Sequence, residues 1–215
     1  MSKIDEIAQV IETGKLKIIE PLVTEALGEG LDPLEILNEG MIKAMGIVGE
    51  KFQKSEIFVP EMLVAAKTMK KGVEILKPKL AAGATTSFGK CIIGTVHGDL
   101  HDIGKNLVSL MIESAGFAVL DLGVDVTTDA FIAAIKSNPD TKIVALSALL
   151  TTTMPAMKDT AAAILDLRSA ASGLSGFKLV VGGAPITEEF ARQIGADGYT
   201  TDAASAAVLA KKLAG

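Results

Sequence analysis

The sequence predicts an α/β protein in which a four-helix bundle precedes a five-stranded parallel sheet. Three observations predict it. Residues 1–80 carry their apolar side chains at helical period only. Residues 90–215 alternate short apolar runs with helical stretches five times, the pattern of a parallel sheet covered on both faces. Between them, residues 81–89 (AAGATTSFG) are small and polar without strong periodicity and read as a linker.

Ile4, Ile7, Ala8 and Ile11 share one face of a first short helix, stopped near Gly14. Leu16, Ile19, Leu22, Val23, Ala26 and Leu27 mark a second, closed by Gly28 and Gly30. Asp32 and Pro33 are an N-cap and a first-turn proline, and the helix they open carries Leu34, Leu37, Met41, Ala44, Met45 and Val48. After a break at 54–59, Pro60 opens a fourth helix bearing Leu63, Val64, Met69, Val73 and Leu76. Short connections join the four into a bundle. Met41, Met45, Met62 and Met69 are expected in its core as flexible fillers. In the second part the strand candidates are 91–96, 118–122, 143–146, 178–181 and a weak 198–200. The helix candidates are 104–115, 128–137, 154–168, 187–194 and 202–213.

The 215 residues are 49% hydrophobic and 22% charged, so material for a core is ample and wholesale disorder is excluded. Aromatic residues make up 4% and Trp is absent, which argues against stacking platforms for single-stranded nucleic acid. With 21 basic against 26 acidic side chains the net charge is −5, and neither half is basic, so phosphate tracking is disfavoured too. The single cysteine, Cys91, rules out an internal disulfide framework and a four-cysteine zinc site. The N-terminus MSKIDEIAQV lacks the apolar stretch of a signal peptide. The longest apolar uncharged run, 143–157, is too short and too polar for a membrane span. The expectation is a cytoplasmic protein with a reduced thiol and neither nucleic acid nor membrane as partner.

In a sheet of this kind ligands bind beyond the carboxyl ends of the strands, which directs attention to three loops. The first strand is followed by His97-Gly98-Asp99-Leu100-His101-Asp102-Ile103-Gly104, which holds both histidines of the chain. The third is followed by Ser147-Ala148-Leu149-Leu150-Thr151-Thr152-Thr153, and the fourth by Gly182-Gly183-Ala184-Pro185. The first loop is no P-loop: five residues, not four, separate Gly98 from Gly104, and Asn106 follows Lys105 where Ser or Thr is needed. His97, His101 and a carboxylate could hold zinc. The other reading is a loop of caps, with Asp102 at a helix N-terminus and His101 a solvated turn residue. Spacing alone leaves both open.

Asp99-x-His101-x-x-Gly104, then Ser147-x-Leu149, then Gly182-Gly183, resembles the three-part signature of cobalamin-binding domains. The string GDLHDIGKN resembles the same segment in the cobalamin module of methionine synthase, and residues 48–52 and 57–60 resemble the helical cap before that module. The likeness spans almost the whole chain. A free-standing cap and module of this length is similar to the corrinoid proteins of methanogens and acetogens, which serve methylamine, methanol, glycine betaine and aryl methyl ether methyltransferase systems.

The resemblance implies a Rossmann-like (flavodoxin-like) sheet over residues 90–215, a cap over 1–80 and a hinge at 81–89. It implies cobalamin or a related corrinoid, bound base-off, with His101 as the lower axial ligand of cobalt. Asp99 would orient the imidazole and Ser147 would hydrogen-bond Asp99, a relay that takes up a proton when cobalt is reduced and sheds its ligand. Gly98, Leu100, Asp102 and Ile103 would contact the cofactor, and Gly104 would turn the chain tightly into the next helix. Leu149 belongs to the signature, and the hydroxyls of Ser147, Thr151 and Thr152 would serve the nucleotide tail. Gly182 and Gly183 would leave it space, and Ala184 would line its pocket. His97 departs from the signature and is expected only to pack or cap. In the cap, Phe52 and Val59 would shield the methyl group. The implied function is that of a methyl carrier without a complete active site of its own. Its partners would be a substrate-specific methyltransferase, a methyl-acceptor methyltransferase acting on tetrahydrofolate or coenzyme M, and a reductive activase. The alternatives are a subunit of an adenosylcobalamin mutase and a cobalamin-sensing regulator.

Overall fold

The structure, a computed structural model, describes residues 2–79, 88–170 and 176–215. The chain divides into a helical unit ending at Ser87, with which Glu113–Phe117 group, and a sheet unit formed by the rest from Phe88 onward. The expected linker lies, over 81–87, outside the described residues.

Among the described residues the helical unit contains four main helical segments and a final 3-10 turn (Lys77–Lys79). Helix α1 (Lys3–Glu12) opens on a capping box in which Ser2 and Asp5 satisfy each other's backbone N–H groups. Helix α2 (Ile19–Gly28) follows. The third segment starts where the Asp32 carboxylate accepts the Leu34 N–H ahead of Pro33, as expected. It is not the uniform α-helix that its apolar spacing predicts. A short α3 (Pro33–Glu35) passes into a π-helical stretch (Ile36–Ile42) and then into α4 (Lys43–Gln53). The wider turn spreads burial over Ile36, Leu37, Gly40, Met41 and Ile42 and leaves Leu34 at the surface. Helix α5 (Val59–Leu76) is the fourth segment. The helices bury Ile7, Ile11, Ile19, Val23 and Val48 together with Met41, Met45, Met62 and Met69, so the four methionines are core fillers.

The sheet unit runs β1 (Lys90–Thr95), α6 (Ile103–Ser114), β2 (Ala118–Asp121), α7 (Thr128–Ser137), β3 (Thr141–Ser147), α8 (Met154–Ala170), β4 (Lys178–Gly182), α9 (Glu188–Gln193), β5 (Gly198–Tyr199) and α10 (Ala203–Ala214). A single 3-10 turn, Thr151–Thr153, precedes α8. All five strands are parallel, in the order β2-β1-β3-β4-β5. The central strands β1, β3 and β4 are buried almost continuously, which requires helices on both faces and explains their unbroken apolar runs. Their core includes Ile92, Val144, Leu146, Leu179 and Val181 with Phe131, Met157 and Ile164 from the helices. Thr95 pairs with Ser147, and Ser147 with Gly182, so the three central strands end level. Their three loops therefore begin side by side. No helix among the described residues is long and apolar enough to cross a membrane.

Candidate functional site

The strand order reverses direction at β1, so the crevice of this topology lies between the ends of β1 and β3. Asp99 fills the base of that crevice and is fully buried. Its Oδ2 accepts the N–H of Leu149 (2.7 Å) and of Leu150 (3.3 Å) and the hydroxyl of Thr153 (2.8 Å). Its Oδ1 accepts the backbone N–H of His101 (3.1 Å) and faces His101 Nδ1 at 2.7 Å. One carboxylate thus ties the loop after β1 to the turn after β3. Burial by itself would raise the Asp99 pKa, but the N–H groups of Leu149 and His101, the imidazole and the Thr153 hydroxyl outweigh it. They hold the carboxyl well below the usual carboxylate range.

An ionised carboxylate only accepts hydrogen bonds, so the Nδ1 of His101 that faces Asp99 carries a proton. Nε2 has no hydrogen-bond partner among the described residues, and the side chain is half exposed. The Thr95 hydroxyl donates to the His101 carbonyl at 2.9 Å and pins the backbone as well. The ring is therefore held from one side and open on the other.

The hydroxyl on Asp99 is a correction to the sequence reading, which assigned it to Ser147. Ser147 ends β3, where its carbonyl accepts the Val96 N–H. The 3-10 turn after it instead brings Thr153, third in a run of three threonines, over the carboxylate. That run was the available signal. Thr151 and Thr152 are exposed on the same turn.

The glycines also separate. A Cβ on Gly183 would lie 1.8 Å from the Ala148 carbonyl oxygen, and its φ is +131°, so the backbone itself demands glycine there. A Cβ on Gly182 would meet nothing closer than the Thr200 carbonyl at 3.9 Å. Its bareness leaves open space beside Thr200 and the exposed Ala184. Gly104 makes no tight turn, contrary to expectation. It sits in the first turn of α6, is not among the glycines with a left-handed backbone, and would find nothing within 4 Å of an added Cβ.

Leu100 (71% exposed), Ile103 (86%), Leu149 (43%) and Leu150 (40%) form an apolar rim of the two loops that flank His101. Asp102 is exposed and accepts from the Asn106 amide at 3.0 Å. Asn106 in turn accepts from Lys105, a buried ammonium paired with Asp121. His97 pairs with Asp125 at 2.7 Å, which also accepts the Gly98 N–H. Each histidine thus has its own aspartate. No group of three or more metal-binding side chains forms among the described residues, so the zinc reading has no geometry behind it.

Residues 89–208 match a B12 binding domain, and residues 3–77 match a second B12 binding domain profile. The chain belongs to the B12-binding corrinoid proteins. Over 218 residues this corrinoid protein is 36% identical to a corrinoid protein of Desulfitobacterium hafniense, covering 100% of this chain and 99% of that one. It is 40% identical over 212 residues to a dimethylamine corrinoid protein of Methanosarcina acetivorans, with 98% and 96% covered. Among solved structures it resembles one chain of the methanol:cobalamin methyltransferase complex of Methanosarcina barkeri with TM-score 0.83 and 28% identity, over 99% of this chain and 79% of that chain. In its helical unit, Phe52 is partly buried at the end of α4, and Val59 is 40% exposed at the start of α5, next to the exposed Phe58.

Proposed function

We propose that this protein carries a methyl group on a bound corrinoid, receiving it from a substrate-specific methyltransferase and yielding it to a second one acting on tetrahydrofolate or coenzyme M. The observation that carries this reading is the half-exposed His101 ring, fixed through Nδ1 on a buried carboxylate with Nε2 free beside an apolar rim. The residues present fit a corrinoid. Nε2 is a neutral donor suited to cobalt, the rim suits a broad macrocycle, and the space at Gly182 suits a displaced nucleotide tail. When bound, the corrinoid supplies the chemistry, since cobalt accepts and releases the methyl group.

The chain's own residues do the rest. Nε2 of His101 would hold the metal. Asp99 fixes the tautomer and the ring plane, and Thr153, Leu149 and Leu150 keep Asp99 ionised and still. The Asp99 carboxylate, 2.7 Å from Nδ1, would hold the ring in place whether or not Nε2 is engaged. Gly98, Leu100, Asp102, Ile103, Gly104 and Leu149 would lie against the ring, and Ser147, Thr151, Thr152, Gly182, Gly183 and Ala184 along the tail. Phe52 and Val59 of the helical unit would shield the methyl group, and a reductive activase would be a further partner. The relatives named for dimethylamine and for the methanol methyltransferase complex favour methyl transfer over isomerisation or regulation.

The test is the absorbance spectrum of protein reconstituted with cobalamin, with His101→Ala alongside. The wild type is expected to bind with a base-off, histidine-ligated spectrum, and His101→Ala to lose that ligation. No binding by the wild type overturns the reading, and an unchanged spectrum for His101→Ala overturns the axial assignment.

A further inference from the structure

We propose that Asp125 is a positioning residue for the axial histidine, stapling the loop after β1 at three consecutive residues. This rests on the corrinoid reading of His101. Asp125 lies in the connection between β2 and α7, with a left-handed backbone (φ +53°) that non-glycine residues seldom adopt. From that conformation it meets His97, Gly98 and Asp99 in turn. Its Oδ1 receives His97 Nδ1 at 2.7 Å and the Gly98 N–H at 2.7 Å, and its own N–H donates to the Asp99 carbonyl at 2.9 Å. The neighbouring Val126 bridges Val96, the residue just before the staple.

Asp99 is thus held at both ends. The turn after β3 grips its carboxylate and Asp125 grips its main chain. Since His101 takes its orientation from Asp99 Oδ1, any slack in the staple passes directly to the imidazole. The side chains of Asp125 and His97 are 49% and 66% exposed, so the staple adds little to folding stability. Its effect is expected in the placement of the ring and not in the melting temperature. His97 thereby acquires a role, buttressing Asp125.

Asp125→Gly keeps the left-handed backbone and the N–H to the Asp99 carbonyl but removes the carboxylate and so frees His97 and Gly98, while Asp125→Asn keeps an acceptor for the Gly98 N–H. Two readouts serve. Nitrogen NMR of the unloaded protein reports the His101 Nδ1–H bonded to Asp99. Cobalamin-loaded protein in the Co(II) state reports nitrogen ligation by electron paramagnetic resonance, alongside the rate of corrinoid release. Asp125→Gly is expected to shift or broaden the Nδ1–H signal, lower the histidine-ligated fraction and speed release about tenfold, at an unchanged melting temperature. Asp125→Asn is expected to restore all three. A wild-type Nδ1–H signal and wild-type release in Asp125→Gly overturn the proposal, as does an Asp125→Asn variant as impaired as Asp125→Gly. Failure of the wild type to bind cobalamin would instead overturn the corrinoid reading, and the unloaded NMR comparison would still decide the staple.

Discussion

Replacing Thr153 with Val removes one hydroxyl and keeps the shape, so it tests that hydroxyl's bond to a buried charge, beside which the Leu150 carbonyl lies at 2.9 Å. Thr153 is 5% exposed and Asp99 is 0% exposed, with 2.8 Å between the hydroxyl and Oδ2. Without it Oδ2 retains only the N–H groups of Leu149 at 2.7 Å and Leu150 at 3.3 Å. A hydrogen bond to a buried ionised group contributes about 1.5–3 kcal/mol. A chain of this size loses about 2–4 °C of melting temperature per kcal/mol, so Thr153→Val should melt roughly 3–12 °C lower. Ser147→Ala removes a hydroxyl with no side-chain partner among the described residues, so its melting temperature should move by only about 2 °C or less. The assay is thermal unfolding of the unloaded variants followed by circular dichroism at neutral pH. The sign with pH follows from the lowered Asp99 pKa: the stabilisation is complete above the unfolded value of about 4 and is lost as pH falls through the folded one. The difference between the two variants should therefore persist at neutral pH and close only in acid. A Ser147→Ala loss as large as that of Thr153→Val, or an unaffected Thr153→Val, refutes the reasoning.

The two adjacent glycines should behave oppositely. Gly183→Ala, with its Cβ 1.8 Å from a carbonyl oxygen, is expected to cost more than about 4 kcal/mol, seen as lost soluble yield or a collapsed urea midpoint. Gly182→Ala is expected to fold normally yet take up less cobalamin by equilibrium dialysis, because only the open space is filled. Burial, with the Asp121 charge behind it, pushes the Cys91 thiol up to about 12, so native protein at pH 8 should not react with a thiol reagent until it is unfolded. Because the folded value lies above the ordinary 9.0, this contribution to stability is present below pH 9 and is lost as pH rises toward 12, measurable by urea titration. Lys105→Met removes a buried ammonium, but its partner Asp121 is 35% exposed and can be rehydrated, so a loss of only about 1–3 kcal/mol is expected in the same assay.

The sequence by itself determined what depends on near neighbours along the chain. Short unbroken apolar runs placed five strands, and the 3.6-residue period placed the helices between them. Asp32-Pro33 opened its helix as a cap and first-turn proline. The likeness to cobalamin-binding domains singled out Asp99 and His101, and the structure puts their side chains 2.7 Å apart. The π-helical stretch at Ile36–Ile42 was not legible, because it answers to packing within the helical unit and not to the local apolar period. Only the tertiary structure decided that Thr153 and not Ser147 reaches Asp99, that Asp125 staples the loop, and that Gly183 is bare for the backbone while Gly182 is bare for space. The physical reason is shared. These partners lie on loops that follow different strands, and a hydrogen bond decays over tenths of an ångström. Which atoms meet is then set by the level ends of Thr95, Ser147 and Gly182 and by the curl of a single 3-10 turn, neither of which leaves a periodic trace in the sequence.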